Sequence, residues 1–287
     1  MGIVLGFLVP PLVVHDHDNI DDIGTELNYV FIGSAAFNGV VFLLTLVWFE
    51  ARPPTPPSPQ KALQSEKADN VDQKGFMELV RFIVRLLCDR DFLFLFLAYG
   101  LNQAVVNAMG TLLNQVMEFY FGDASIAGYV GMTSVIGGII GGLIFGKILD
   151  KTRRYKLVAC TVYGLSAVGM AGFTFVLKTK SELLVYIVTA IFGFFLGGYM
   201  PVGFDFAIEI TYPEPEAMTS GLLTLGLQVI STAATYIYGE GVRSWGVDEA
   251  NYFLIGILVV GTIFNFGMKP KLKRQEAATQ KESAGQP

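Results

Sequence analysis

Apolar residues run through the chain in seven stretches long enough to cross a bilayer. They lie near residues 27–49, 92–121, 125–148, 156–177, 182–207, 217–238 and 250–268, with polar segments between them. About 20 apolar residues span a hydrocarbon core of about 30 Å. Hydrocarbon offers no hydrogen-bond partner, so each backbone must satisfy itself, and the runs predict helices. An eighth stretch, Gly2 to Val14, is too short to span. Pro10-Pro11 interrupts it, no basic residue precedes it and no small-residue cleavage site follows, so it reads as the outer end of a helix and not as a signal peptide. The expected fold is all-α: a polytopic membrane helix bundle, made of one remnant and seven full transmembrane helices.

The polar segments set the organisation. Residues 51–74 open with ARPPTPPSPQ and continue polar, as an extended linker does. Gly75–Arg90 follows with apolar residues at helical spacing and with Arg81 and Arg85 one turn apart, the pattern of an amphipathic helix on a membrane surface. Two hydrophobic segments, a long linker and then six spans resemble the centre of a two-half, twelve-helix transporter. The expected divisions are 1–50, the last two helices of a first half; 51–91, a cytoplasmic linker with its amphipathic helix; 92–268, a six-helix second half; and 269–287, a cytoplasmic tail. Of the 20 Lys and Arg residues, only Lys178, Lys180 and Arg243 lie outside the linker, the 147–156 loop and the tail. The positive-inside rule therefore places those three segments, and both termini, in the cytoplasm of a multi-pass protein.

Composition narrows the function. The chain is 52% hydrophobic and only 16% charged, against about 25% charged in soluble domains. No basic stripe suits nucleic acid, and Cys88 and Cys160 are too far apart in sequence to suggest a disulfide framework. The spans hold no nucleophile–base pair and no metal cluster, so an enzyme is not expected. His15 and His17 sit among Asp16, Asp18, Asp21 and Asp22 without fixed ligand spacing; no metal or other cofactor is implied.

Several motifs bear on mechanism. The loop Gly146–Lys156 (GKILDKTRRYK) resembles the loop signature of the major facilitator superfamily: Gly, three residues, Asp, then basic residues. Asp150 pairing with Arg153 or Arg154 would latch one conformation. Gly138, Gly142 and Gly146 form a ridge for close helix packing, which Gly193 and Gly197 repeat, and Pro201 should kink its helix. Gln103, Asn107, Gly110 and Asn114 share one face of their helix. Thr224, Gln228, Ser231, Thr232 and Thr235 share a face of another. A polar face in a membrane must meet protein or water, so the two stripes suggest either a shared wet cavity or interhelical hydrogen bonding. Glu118, Asp205 and Glu209 lie toward helix ends, where a solvated or locally paired carboxylate is expected.

Gly6–Pro11 (GFLVPP), Thr111–Gln115 (TLLNQ), Gly198–Pro213 (GYMPVGFDFAIEITYP), Glu214, Glu216 and Thr219–Leu223 (TSGLL) resemble the feline leukaemia virus subgroup C receptor family of facilitators. The likeness covers nearly the whole chain. It implies twelve helices in the full-length family, the fifth onward being present here, a plasma-membrane location, and transport of choline, ethanolamine or haem. The family's cavity glutamine is matched by Gln228, and its aromatic position in the seventh helix falls on Asn107. A quaternary ammonium is best held by aromatic faces, which weighs against choline specifically. Haem would call for basic groups and an axial ligand such as His, which weighs for a small organic cation or zwitterion. The expected substrate contacts are Gln103, Asn107, Asn114 and Gln228, with Asp150, Arg153 and Arg154 biasing the inner gate. The rival expectation is a non-transporting membrane protein that acts as partner or regulator of another transporter chain.

Overall fold

The computed structural model describes residues 20–49, 76–122, 125–269 and 272–275, together with Gly6, Val9, Pro10, Leu12, Val13 and Val14. The linker 51–74 and the His15–Asp18 stretch lie outside the described residues. Eight helices carry the architecture: α1 Ile20–Trp48, α2 Phe76–Cys88, α3 Arg90–Phe121, α4 Ser125–Thr152, α5 Tyr155–Leu177, α6 Glu182–Thr211, α7 Glu216–Ser244 and α8 Val247–Gly267. All but α2 are long and apolar enough to cross a membrane. Together they form the all-α membrane bundle that the apolar runs predict.

The helices outrun those runs at their polar ends. α4 continues to Thr152, α6 to Thr211 and α7 to Ser244. Hydrophobicity stops where hydrocarbon stops, whereas a helix continues until a cap or a turn halts it. α3 begins at Asp89, whose Oδ1 accepts from the Asp91 N–H at 3.0 Å. It ends at Gly122, whose φ of 70° is the left-handed region that glycine tolerates.

α2 has the predicted two-faced character. Phe82 and Leu86 are buried against the bundle, while Arg81 and Arg85 are exposed. Arg85 reaches the Glu214 carboxylate at 2.6 Å, which ties α2 to the α6–α7 turn. α1 differs from the rest: none of its most apolar window is buried, and Phe37 is 70% exposed.

α3 to α8 pack as one bundle, with α4 against α6, α3 against α7, and α8 against both α3 and α5. The α4–α6 seam is made by glycine. A Cβ on Gly197 would lie 2.6 Å from the Gly138 Cα, and Cβ atoms on Gly137, Gly141 and Gly193 would strike the Ala190, Phe194 and Ser134 carbonyls. The expected ridge is thus shifted: Gly142 has only ordinary contacts and Gly146 meets nothing within 4 Å. The second glycine of the working pair is one residue earlier, since the seam turns with the helix.

Side-chain ties close both ends. At the end bearing the α4–α5 loop, here the basic end, Lys156 Nζ donates to the Met268 carbonyl at 2.6 Å. There too the Lys269 N–H donates to Asp91 at 2.8 Å, and the Gln275 N–H donates to the buried Glu209 at 2.8 Å. Glu209 is thus locally paired, while Glu118 and Asp205 are exposed. At the opposite end Tyr120 donates to Asp248, and Lys178 pairs with the same carboxylate at 3.1 Å. That bond holds the Lys178 ammonium above its ordinary pKa.

Gly197→Leu places four carbons where backbone already touches backbone. It is expected to destabilise the protein by about 1–3 kcal/mol or more, and Gly146→Leu to be nearly neutral. Thermal unfolding of the two variants, followed by size-exclusion chromatography in detergent, checks the difference.

Candidate functional site

α3 and α7 interlock tightly toward the basic end and part beyond it. Ile230 fills the space left by Gly100, and the Phe96 ring fills the space left by Gly226. Past these contacts a cleft of about 570 Å³ opens, bordered by Asn107, Thr111, Gln228, Thr232, Thr235 and Arg243 among others. The α7 positions Gln228, Thr232, Thr235, Gly239 and Arg243 recur at steps of three and four, so one helical face supplies that wall. Glu240 and Arg243 put one charge of each sign at the outer end, and Tyr236, 76% exposed, lies beside them.

At the inner end of the cleft a relay of hydrogen bonds orders the polar groups. Asn107 Nδ2 donates to Ser231 Oγ at 3.0 Å. The Ser231 hydroxyl in turn donates to the Gln228 carbonyl at 3.4 Å. Because the serine proton is committed to that carbonyl, the asparagine must offer its N–H side, and its Oδ1 stays available as an acceptor. Ser231 is 3% exposed, so the pair is shielded from water on one side. Asn107 and Thr111 also border a second cavity of about 340 Å³, shared by α3, α4 and α6.

Of the four residues expected to contact substrate, Asn107 and Gln228 come together in the cleft. Gln103 is buried at 8% exposure and does not line it. Asn114 is exposed farther along α3 and is not among the lining residues either. Asp150, Arg153 and Arg154 sit together at the α4–α5 turn, all exposed. Among the described residues Asp150 forms no ion pair with either arginine. Arg153 has φ 53°, a left-handed turn that sequence spacing alone does not anticipate. Sequence reasoning missed Glu240 and Arg243, which extending the α7 period past the apolar run would have found.

A bundle of apolar helices with one polar cleft invites comparison with known membrane carriers. The model of the Major Facilitator Superfamily matches residues 1–235 and 95–285. The chain belongs to this superfamily. Within the superfamily it is similar to an uncharacterised MFS-type transporter of Caenorhabditis elegans, 39% identical over 96% of this chain and 46% of that protein. It is also 39% identical to the choline/ethanolamine transporter flvcr2a of Danio rerio, over 96% of this chain and 58% of the relative. The human choline/ethanolamine transporter FLVCR2 is 34% identical over 96% of this chain and 52% of its own length. The chain thus spans about half the length of the curated relatives it matches. These relatives support the resemblance read from TLLNQ and from GYMPVGFDFAIEITYP.

A cleft with polar walls predicts a labelling pattern. With Cys88 and Cys160 replaced by Ser, single cysteines at Gln228, Thr232 and Thr235 are expected to react with a membrane-impermeant maleimide. A cysteine at Gln103 is expected to stay unlabelled until the protein is denatured.

Proposed function

We propose that this protein carries a small organic cation of the amino-alcohol class across a membrane by alternating access, with substrate held in the α3–α7 cleft near the middle of the bilayer. The observation that carries this reading is the convergence of Asn107, Gln228, Ser231, Thr232 and Thr235 on one cleft at the centre of two long apolar helices. An ammonium with a hydroxyl group needs acceptors for its charge-bearing hydrogens and a partner for its oxygen. Asn107 Oδ1, the threonine hydroxyls and Gln228 supply both, and the Glu240 carboxylate at the outer end draws cations inward. Haem fits this cleft poorly: its walls hold no histidine, and Arg243 is their only cation among the described residues. Of the two amines in the names of the FLVCR2 relatives, choline/ethanolamine transporters, ethanolamine has the N–H hydrogens that this chemistry calls for.

In this reading Asp150, Arg153 and Arg154 belong to the gate at the basic end, and Asp150 pairs with an arginine only in another state of the cycle. That end faces the cytoplasm by the positive-inside rule, and the plasma membrane is the expected location. Gln103 and Asn114 flank the site without forming its centre.

Radiolabelled ethanolamine and choline uptake by cells expressing the protein tests the proposal. Gln228→Ala and Asn107→Ala are each expected to lower uptake about tenfold or more, the worth of a hydrogen bond to a charged group. Ser231→Thr should retain the relay and most of the uptake, and Ser231→Ala should lose several-fold. Unchanged uptake in Gln228→Ala would remove that residue from the site. If the protein reaches the membrane and moves neither amine, it belongs to the rival class, a membrane partner of another transporter chain.

A further inference from the structure

A separate cavity of about 560 Å³ opens at the basic end, between the start of α5 and the end of α8. Its lining includes the cations Arg153, Arg154 and Lys156 and the apolar side chains Leu157, Phe266 and Leu272. Among the described residues neither arginine is in an ion pair. Lys156 commits one N–H to the Met268 carbonyl and keeps two donors. Three cations therefore border one concavity, and none of them is in an ion pair among the described residues. They lie where α4 ends, α5 begins and α8 ends, at Thr152, Tyr155 and Gly267, at the polar ends of the apolar helices.

Two of the apolar lining residues, Leu157 and Phe266, belong to the spanning helices α5 and α8. Leu157 is 58% exposed and Phe266 is 63% exposed on the outside of the bundle, where lipid tails run. Charge at the helix ends with apolar wall from the spans is the pairing of groups in a phospholipid. A soluble anion would use the rim and leave the wall bare. The N-cap residue of α5, Arg154, makes no side-chain cap bond, so a phosphate at the rim also meets the positive end of that helix.

The geometry points to a binding site for an anionic phospholipid of the leaflet at the basic end. Arg153, Arg154 and Lys156 hold its headgroup phosphate, and an acyl chain lies along Leu157 and Phe266. The lipid would bridge α5 and α8 at the point where Lys156 already joins them. This site rests on the membrane setting alone and is independent of what the α3–α7 cleft carries.

Purified protein exposed to phosphatidylcholine, phosphatidylserine and phosphatidylinositol 4,5-bisphosphate, then read by native mass spectrometry, tests the site. The two anionic lipids are expected to stay bound while phosphatidylcholine is lost. A basic residue near an anionic surface contributes about fivefold, so Arg153→Gln with Arg154→Gln should weaken retention about thirtyfold. Lys273→Gln, outside the cavity, should leave retention unchanged. Leu157→Asn keeps all three charges and should weaken the lipid severalfold, and it decides the matter if the double variant does not elute as a single species. Equal retention of phosphatidylcholine, or retention unaltered in the cavity variants, would overturn the site. Release of the lipid by millimolar inorganic phosphate would also overturn it, by assigning the rim to a soluble anion.

Discussion

A hydrocarbon solvent supplies no hydrogen bonds, and the interior of this bundle is arranged around that lack. Tyr163 donates to the Ala98 carbonyl at 2.9 Å, Tyr199 to Asn265 at 3.0 Å and Tyr238 to Asn251 at 2.8 Å, each tying two helices through a buried pair. Ser166 and Thr174 turn back to the carbonyls four residues earlier, which satisfies them within their own helix. Exceptions remain: both amide atoms of the fully buried Asn102, the Tyr99 and Thr189 hydroxyls and the Asn251 Nδ2 have no hydrogen-bond partner among the described residues. Against that background the polar face of α7 stands out, because its threonines and Gln228 lie bare along a cleft. Bare polar groups in the middle of a span are stable only against water, another protein surface or a ligand.

The spans were legible because helix length and bilayer thickness are linked by a fixed rise per residue, and neither needs tertiary information. The site was legible only in part, for reasons of helix geometry. Gln103 lies four residues before Asn107, and four residues turn a helix by about 400°, so Gln103 is rotated about 40° toward the core. Asn114 keeps nearly the same angle as Asn107 but stands about 10 Å farther along the axis, level with the end of the cleft that bears Glu240, and is not among its lining residues. A stripe at steps of three and four therefore names a face without fixing its depth or its length. Glu240 and Arg243 were passed over because the apolar run ends before the α7 helix does. Glycine packing behaved similarly. The GxxxG spacing on α4 marked a helix that packs closely, but the residues in contact are Gly137, Gly138 and Gly141, which only the orientation of α6 decides.

At the basic end one class of residue meets several demands. Positive charges set the orientation of a membrane protein, yet here they also tie chain segments together. Lys156 holds the end of α8, Arg85 holds the α6–α7 turn, and Arg274 and Lys273 lie 3.8 Å and 3.9 Å from Glu216 and Asp89. These exposed pairs contribute little stability singly, about 0–1 kcal/mol each. Their value lies in number and direction, since acidic groups at the starts of α3 and α7 face the cations of the tail. Arg153 and Arg154 are in none of these ties among the described residues.

The two glycine seams divide the labour between rigidity and opening. In α4 and α6 backbone touches backbone along several turns, and neither helix can slide without a clash. In α3 and α7 the close contacts, Ile230 against Gly100 and Phe96 against Gly226, are confined to the half nearer the basic end. Beyond them each helix presents hydroxyls and amides to the other, and only the Asn107–Ser231 bond crosses the gap before the cleft widens. The cleft extends toward the end that bears Glu240 and Arg243, where Leu112, Tyr236 and Gly239 also border it. Position along the helix, more than residue type, therefore decides where the two helices part.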